Sequence, residues 1–130
     1  MSKDKVNIYS GDLNINSGTT KEQILEYERI QEVEGSLIIH SKAALPELRK
    51  VGGYLWVKSK VSLPGLRKVG GDLWVYPGAS LEAEQLMEVG ENLGVDPGGY
   101  LEAEQMEKVG GYLWVYPGAS LVAPKMGEKK

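Results

Sequence analysis

Apolar residues return along this chain in one short, repeated phrase. Val51-Gly52-Gly53-Tyr54-Leu55-Trp56-Val57 recurs as Val69-Gly70-Gly71-Asp72-Leu73-Trp74-Val75 and as Val109-Gly110-Gly111-Tyr112-Leu113-Trp114-Val115. Between the last two lies a degraded copy, Val89-Gly90-Glu91-Asn92-Leu93-Gly94-Val95. Val33-Glu34-Gly35-Ser36-Leu37-Ile38-Ile39 precedes them, and Gly11-Asp12-Leu13-Asn14-Ile15 stands as the first. Leu13, Leu37, Leu55, Leu73, Leu93 and Leu113 mark the equivalent positions, at steps of 24, 18, 18, 20 and 20. Each L-x-V alternates inward and outward positions, which is the strand period. Self-similarity at so short a period predicts a solenoid.

Every full unit carries a second apolar beat: Leu45-Pro46-Glu47-Leu48, Leu63-Pro64-Gly65-Leu66, Leu81-Glu82-Ala83-Glu84-Gln85-Leu86 and Leu101-Glu102-Ala103-Glu104-Gln105-Met106. The 20-residue units thus read as adding two residues inside this beat, with a wider turn there. Tyr76-Pro77-Gly78, Asp96-Pro97-Gly98 and Tyr116-Pro117-Gly118 carry the type II turn signature. Val6-Asn7-Ile8-Tyr9 also alternates, as an N-terminal strand would. Thr19 with Glu22, or Thr20 with Gln23, has capping-box spacing, which predicts a short helix from about Lys21 to Tyr27. That helix is expected to cap the open end of the core. Residues 1–123 read as a single β-solenoid domain, residues 1–30 as its capping region, and residues 124–130 as a flexible tail.

Ile30-Gln31-Glu32-Val33-Glu34-Gly35-Ser36-Leu37-Ile38-Ile39 resembles a coil of the receptor L domain, the leucine-rich, β-helix-like module of insulin- and EGF-receptor ectodomains. The L-x-x-L-x-x-V-G-G-x-L-x-V units are similar to short leucine-rich-type repeats of bacterial and phage proteins. The resemblance implies a mostly β fold: a right-handed parallel β-helix of about five to six short coils, with one regular sheet built from the G-x-L-x-V strands. It departs from the receptor modules in having no cysteine. A left-handed three-sided β-helix is the alternative. Ile39, Leu45, Val51, Val57, Leu63, Val69, Val75 and Leu81 are spaced by six, but the eight-residue steps Leu81 to Val89 and Leu101 to Val109 break that period.

With Leu and Val inward, the x positions face out. The expected binding face is Tyr54, Trp56, Asp72, Trp74, Tyr76, Asn92, Gly94, Tyr112, Trp114 and Tyr116. All three tryptophans and four of the seven tyrosines share it. The plain structural reading is a ladder of stacked rings, Trp56 over Trp74. Gly94, in a slot otherwise filled by Trp, reads as a gap that admits a partner's ring. Exposed Trp and Tyr mark binding hot spots more often than ornament.

Composition narrows the chemistry. Without cysteine there is no thiolate catalysis and no Cys-based zinc site. His40 is the single histidine, so no catalytic triad or histidine metal site is expected. Asp72, Asn92 and Asp96 are too few for a calcium site. The expectation is no enzyme activity, no metal and no cofactor. No apolar run is long enough to span a membrane and no signal-peptide core follows Met1, which points to the cytoplasm. Residues 41–70 hold seven Lys and Arg against Glu47, a net of +6, while residues 71–108 hold nine Asp and Glu against Lys108, a net of -8. Acidic coils beside basic ones make nucleic acid a poor partner. The expected function is protein binding through the aromatic face, with an antiparallel homodimer across it. The phage-type resemblance implies one version, an inhibitor of a bacterial defence system. A glycan-binding module is the alternative.

Overall fold

A computed structural model describes residues 7–126. Each coil after the first crosses three parallel sheets in turn. The first sheet stacks Ile8–Tyr9, Glu32–Val33, Lys50–Val51, Lys68–Val69, Glu88–Val89 and Lys108–Val109. The second stacks Leu13–Ile15, Leu37–Ile39, Leu55–Val57, Leu73–Val75, Leu93–Val95 and Leu113–Val115. The third stacks Ala43–Ala44, Lys60–Ser62, Ser80–Glu82, Tyr100–Glu102 and Ser120–Val122. The chain is therefore a mostly β solenoid of about six turns, since two of the sheets hold six strands. Val6 and residues 127–130 lie outside the described residues, and Pro124–Met126 of the expected tail forms a 3-10 turn.

Three sheets replace the one expected. The six-residue spacing explains them: Val57, Leu63 and Val69 fall one at the end of each side. All six L-x-V strands pair in strict register, Leu on Leu and the second inward residue on its counterpart. Register is held because a one-residue slip would turn every inward Leu and Val to water. The inward columns are fully buried through the middle of the molecule, Leu37, Leu55, Leu73 and Leu93 among them.

The two extra residues of the longer coils lie elsewhere than the pattern suggested. Leu81 pairs with Val61, and Ser80 with Lys60, so the insertion falls before Ser80. Tyr76-Pro77-Gly78-Ala79 is a closed turn in which Ala79 N–H donates to the Tyr76 carbonyl at 3.0 Å. Gly78, Gly98 and Gly118 have φ of 75°, 81° and 90°, the left-handed values that glycine tolerates. The beat itself does not widen: Pro64-Gly65 and Glu84-Gln85 make the same two-residue turn. Ala83 takes the place of Leu63, and the longer corner adds Ala79, which is also buried. Two alanines and a leucine stand where a valine and a leucine stand one coil earlier, so core volume is nearly conserved.

Gly52, Gly70, Gly90 and Gly110 form a column at the corner between the first and second sheets. A methyl group on any of them would run into the carbonyl of the residue one coil before: Glu34, Gly52, Gly70 and Gly90 respectively. Close backbone approach, rather than φ, requires glycine here.

The helix spans Lys21–Tyr27 with Thr20 as N-cap and Gln23 completing the capping box. It occupies the place in the first coil that the third sheet's strand takes in later ones. Ile24 and Tyr27 pack against the core, and Tyr27 meets Tyr9 edge-on at 6.0 Å. It stands off the third sheet, leaving a groove lined by Ile24, Glu28, Lys42, Ala43 and Lys60.

Candidate functional site: the aromatic face of the second sheet

The L-x-V strands turn Trp56, Trp74, Gly94 and Trp114 outward in one paired column. Tyr54, Asp72, Asn92 and Tyr112 precede it, and Lys58, Tyr76, Asp96 and Tyr116 follow it. None of the seven rings on this face is buried. The rings do not build the expected ladder. They stack along their own strands instead: Tyr54 on Trp56 at 4.2 Å and 20°, and Tyr112 on Trp114 at 5.6 Å and 17°. Residues two apart on a strand share a face, and a planar pair there shields both rings from water.

Gly94 is not an open slot. The Trp74 ring leans over it and reaches Trp114 beyond, with centroids 5.6 Å apart and planes at 59°. Gly94 is buried beneath that ring, and a Cβ there would lie 2.5 Å from Trp74 Cε3. Without a side chain at Gly94, the indole sinks toward the backbone and contacts the ring two coils away. The face thus divides into two clusters. One holds Tyr54, Trp56, Lys58 and Tyr76; Lys58 Nζ lies 4.7 Å from the Tyr76 centroid and 5.9 Å from that of Trp56. Trp56 and Tyr76 meet edge-on at 6.2 Å. The other cluster holds Trp74, Tyr112 and Trp114, and Tyr116 lies exposed beside it. Burial, then the Asp96 carboxylate, raise the Tyr76 pKa, so its hydroxyl stays a donor.

Asp72 and Asn92 have a structural task. Asp72 Oδ1 accepts from the Asn92 main-chain N–H at 2.9 Å, and Asn92 Oδ1 from that of Tyr112 at 2.7 Å. Asp12 serves Ser36 in the same way at 2.8 Å, and Ser36 serves Tyr54 at 3.1 Å. In each pair, the side chain satisfies the N–H at the equivalent position one coil later. The signal was present in the sequence: the slot before L-x-V holds Asp, Ser, Asp or Asn wherever it is not Tyr. With these oxygens engaged, the acidic residues of the face form no metal cluster. Among the described residues, no group of three His, Cys, Asp or Glu is placed to hold an ion. Lys58, which the expected site omitted, belongs to it by contact with two of its rings.

No helix among the described residues is long and apolar enough to cross a membrane. No protein-family model matches the chain, and neither curated proteins nor solved structures yield a match. The receptor L-domain and leucine-rich likenesses therefore rest on repeat pattern alone, while the β-solenoid itself stands on the sheet pairings.

Proposed function

We propose that this chain is a non-enzymatic protein-binding solenoid that acts through the aromatic face of its second sheet. One observation carries the reading: seven Tyr and Trp rings lie on one face, six of them packed on each other rather than in the core, and none is buried. Rings prearranged by stacking lose little freedom on binding, and Trp and Tyr supply much of the energy at protein interfaces. The two clusters sit on a flat, regular surface with Lys58 at one end and Asp96 in the middle, so polar contacts are available to orient a partner. Two expected site residues, Asp72 and Asn92, support the surface from within it, and Gly94 lets Trp74 join the second cluster. A defence-system target, as the phage-type likeness implies, is one such partner. Self-association is another form of the same reading, the expected version being an antiparallel dimer across this face.

The glycan-binding reading keeps one specific support: stacked Tyr and Trp planes also accept sugar rings. The test compares the parent with Trp56→Ala and Trp114→Ala in affinity capture from a cell extract and on a glycan array. Protein ligands retained by the parent and lost with both variants support the proposal. Binding to defined glycans, lost with the same variants, would replace it with the alternative. Ligands held equally by all three proteins would remove the aromatic face from the function.

A further inference from the structure

The two ends of the solenoid differ. At the N-terminal end the inward residues of the second sheet are covered: Leu13 is 2% exposed and Ile15 1%. At the C-terminal end their counterparts Leu113 and Val115 are 40% and 41% exposed, with Val122 at 36%. The main chain is open there as well. One coil earlier, Leu93 N–H donates to Tyr112, while the carbonyls of Val89, Glu91, Val95 and Gly99 accept from Gly110, Gly111, Tyr116 and Ser120. Among the described residues, no coil follows to pair with the counterparts of those groups, Leu113 N–H and the carbonyls of Val109, Gly111, Val115 and Ala119. Three sheet edges and an apolar cross-section are presented together, which is a template for further strand pairing.

We propose that this end is a homodimer interface, in which two copies abut end to end about a two-fold axis perpendicular to the solenoid axis. The inference goes beyond the aromatic-face reading and competes with its dimeric form. A ligand that satisfies three edges at once must have the same three-sided section. A second copy's C-terminal end has it, whereas the N-terminal end carries the helix, where a third-sheet strand would be needed, and so does not offer a matching section. A two-fold axis through the middle of the second sheet sets Leu113–Val115 antiparallel to its own copy. The same rotation brings Lys108–Val109 of one chain against Ser120–Val122 of the other, so every edge at this end finds a partner and the contact closes on itself as a two-fold dimer. Leu113, Val115, Leu121 and Val109 would bury against their equivalents. Trp114 would lie near the axis, joining the two aromatic faces into one surface.

Electrostatics separates this dimer from the side-by-side one. An antiparallel aromatic-face dimer brings the basic coils of one copy to the acidic coils of the other, so salt weakens it. End-to-end abutment places the acidic coils, residues 71–108, one coil back from the interface in both copies with no basic block opposite them, so salt screens their residual repulsion and tightens the dimer.

Solution mass by light scattering tests the proposal. The expected results are a dimer for the parent chain, tighter at high salt, monomers for Val115→Lys and Leu113→Lys with a cooperative melt retained, and an unchanged dimer for Trp56→Ala. Because the chain has no cysteine, a single one reports geometry without ambiguity. Trp114→Cys should form a covalent dimer on mild oxidation and Trp56→Cys should not, which carries the test if the lysine variants fail to fold. A monomeric parent at all concentrations, a dimer that survives both lysine variants, or mass that keeps rising with concentration would overturn it. A dimer lost in Trp56→Ala and kept in Val115→Lys would assign self-association to the aromatic face instead.

Discussion

A methyl group added at Gly90 meets the Gly70 carbonyl, whereas one added at Gly94 meets the far edge of the Trp74 ring. The two glycines look alike in the sequence, but one neighbour is backbone held by its own sheet and the other is a side chain that can swing away. Gly90→Ala is therefore expected to cost about 1–3 kcal/mol or more, the range of an overpacked core. Gly94→Ala should cost about 0.5–1.5 kcal/mol, the worth of the Trp74–Trp114 contact it disturbs. Thermal melts of the two variants check the order. Near-ultraviolet circular dichroism should change for Gly94→Ala, because the Trp74–Trp114 pair contributes to the signal. A Gly94→Ala protein with unaltered indole signal would mean that Trp74 does not rest there.

At the scale of one coil, the corner and the beat are distinct modules. Deleting Pro77-Gly78 should convert a 20-residue coil to the 18-residue form and leave the strands in register, because the extra residues lie wholly in that corner. Deleting Glu84-Gln85 removes the two-residue turn that the four middle coils share, and is expected to destroy the cooperative melt. Removing Leu55 through Asp72 joins Tyr54 to Leu73, whose register partner is Leu55, and should shorten the solenoid without unfolding it. Interior repeats are removable because each contacts only its neighbours. Denaturation curves of the three deletions decide the matter; a corner deletion that melts like the beat deletion would contradict the assigned register.

The whole molecule stacks its charges by coil, and the acidic coils repel within their own columns. Glu82 pairs with Glu102 in register, and Glu84 and Glu104 follow them in the chain. A hydrogen bond with Glu102 and its charge, then partial desolvation and the charge of Glu84, raise the Glu104 pKa. A carboxyl whose folded pKa lies above its unfolded value favours folding most when protonated, and this contribution is lost as pH rises through the folded value. Glu104→Gln should therefore raise the melting temperature at neutral pH and have little effect in acid below the unfolded value. Melts across that interval provide the check, and an equal shift at both ends would assign the effect to something other than charge.

Periodicity was enough to read the solenoid, because inward Leu and Val must recur at every coil and no other architecture demands that at steps of 18 and 20. The helix was legible too, since Thr20 and Gln23 form a local motif whose hydrogen bonds need nothing from the rest of the chain. The aromatic face followed from strand alternation. What the repeat left open was decided between coils. Whether two extra residues enter at the corner or in the beat depends on which strand Leu81 pairs with, and Leu81 looks equally at home in either alignment. The number of sheets depended on whether Lys60–Ser62 and its successors find one another in space. Gly94 changed meaning for the same reason: the ring that covers it comes from Trp74, one coil away, and a side chain's direction is set by the neighbours it meets rather than by its place in the repeat.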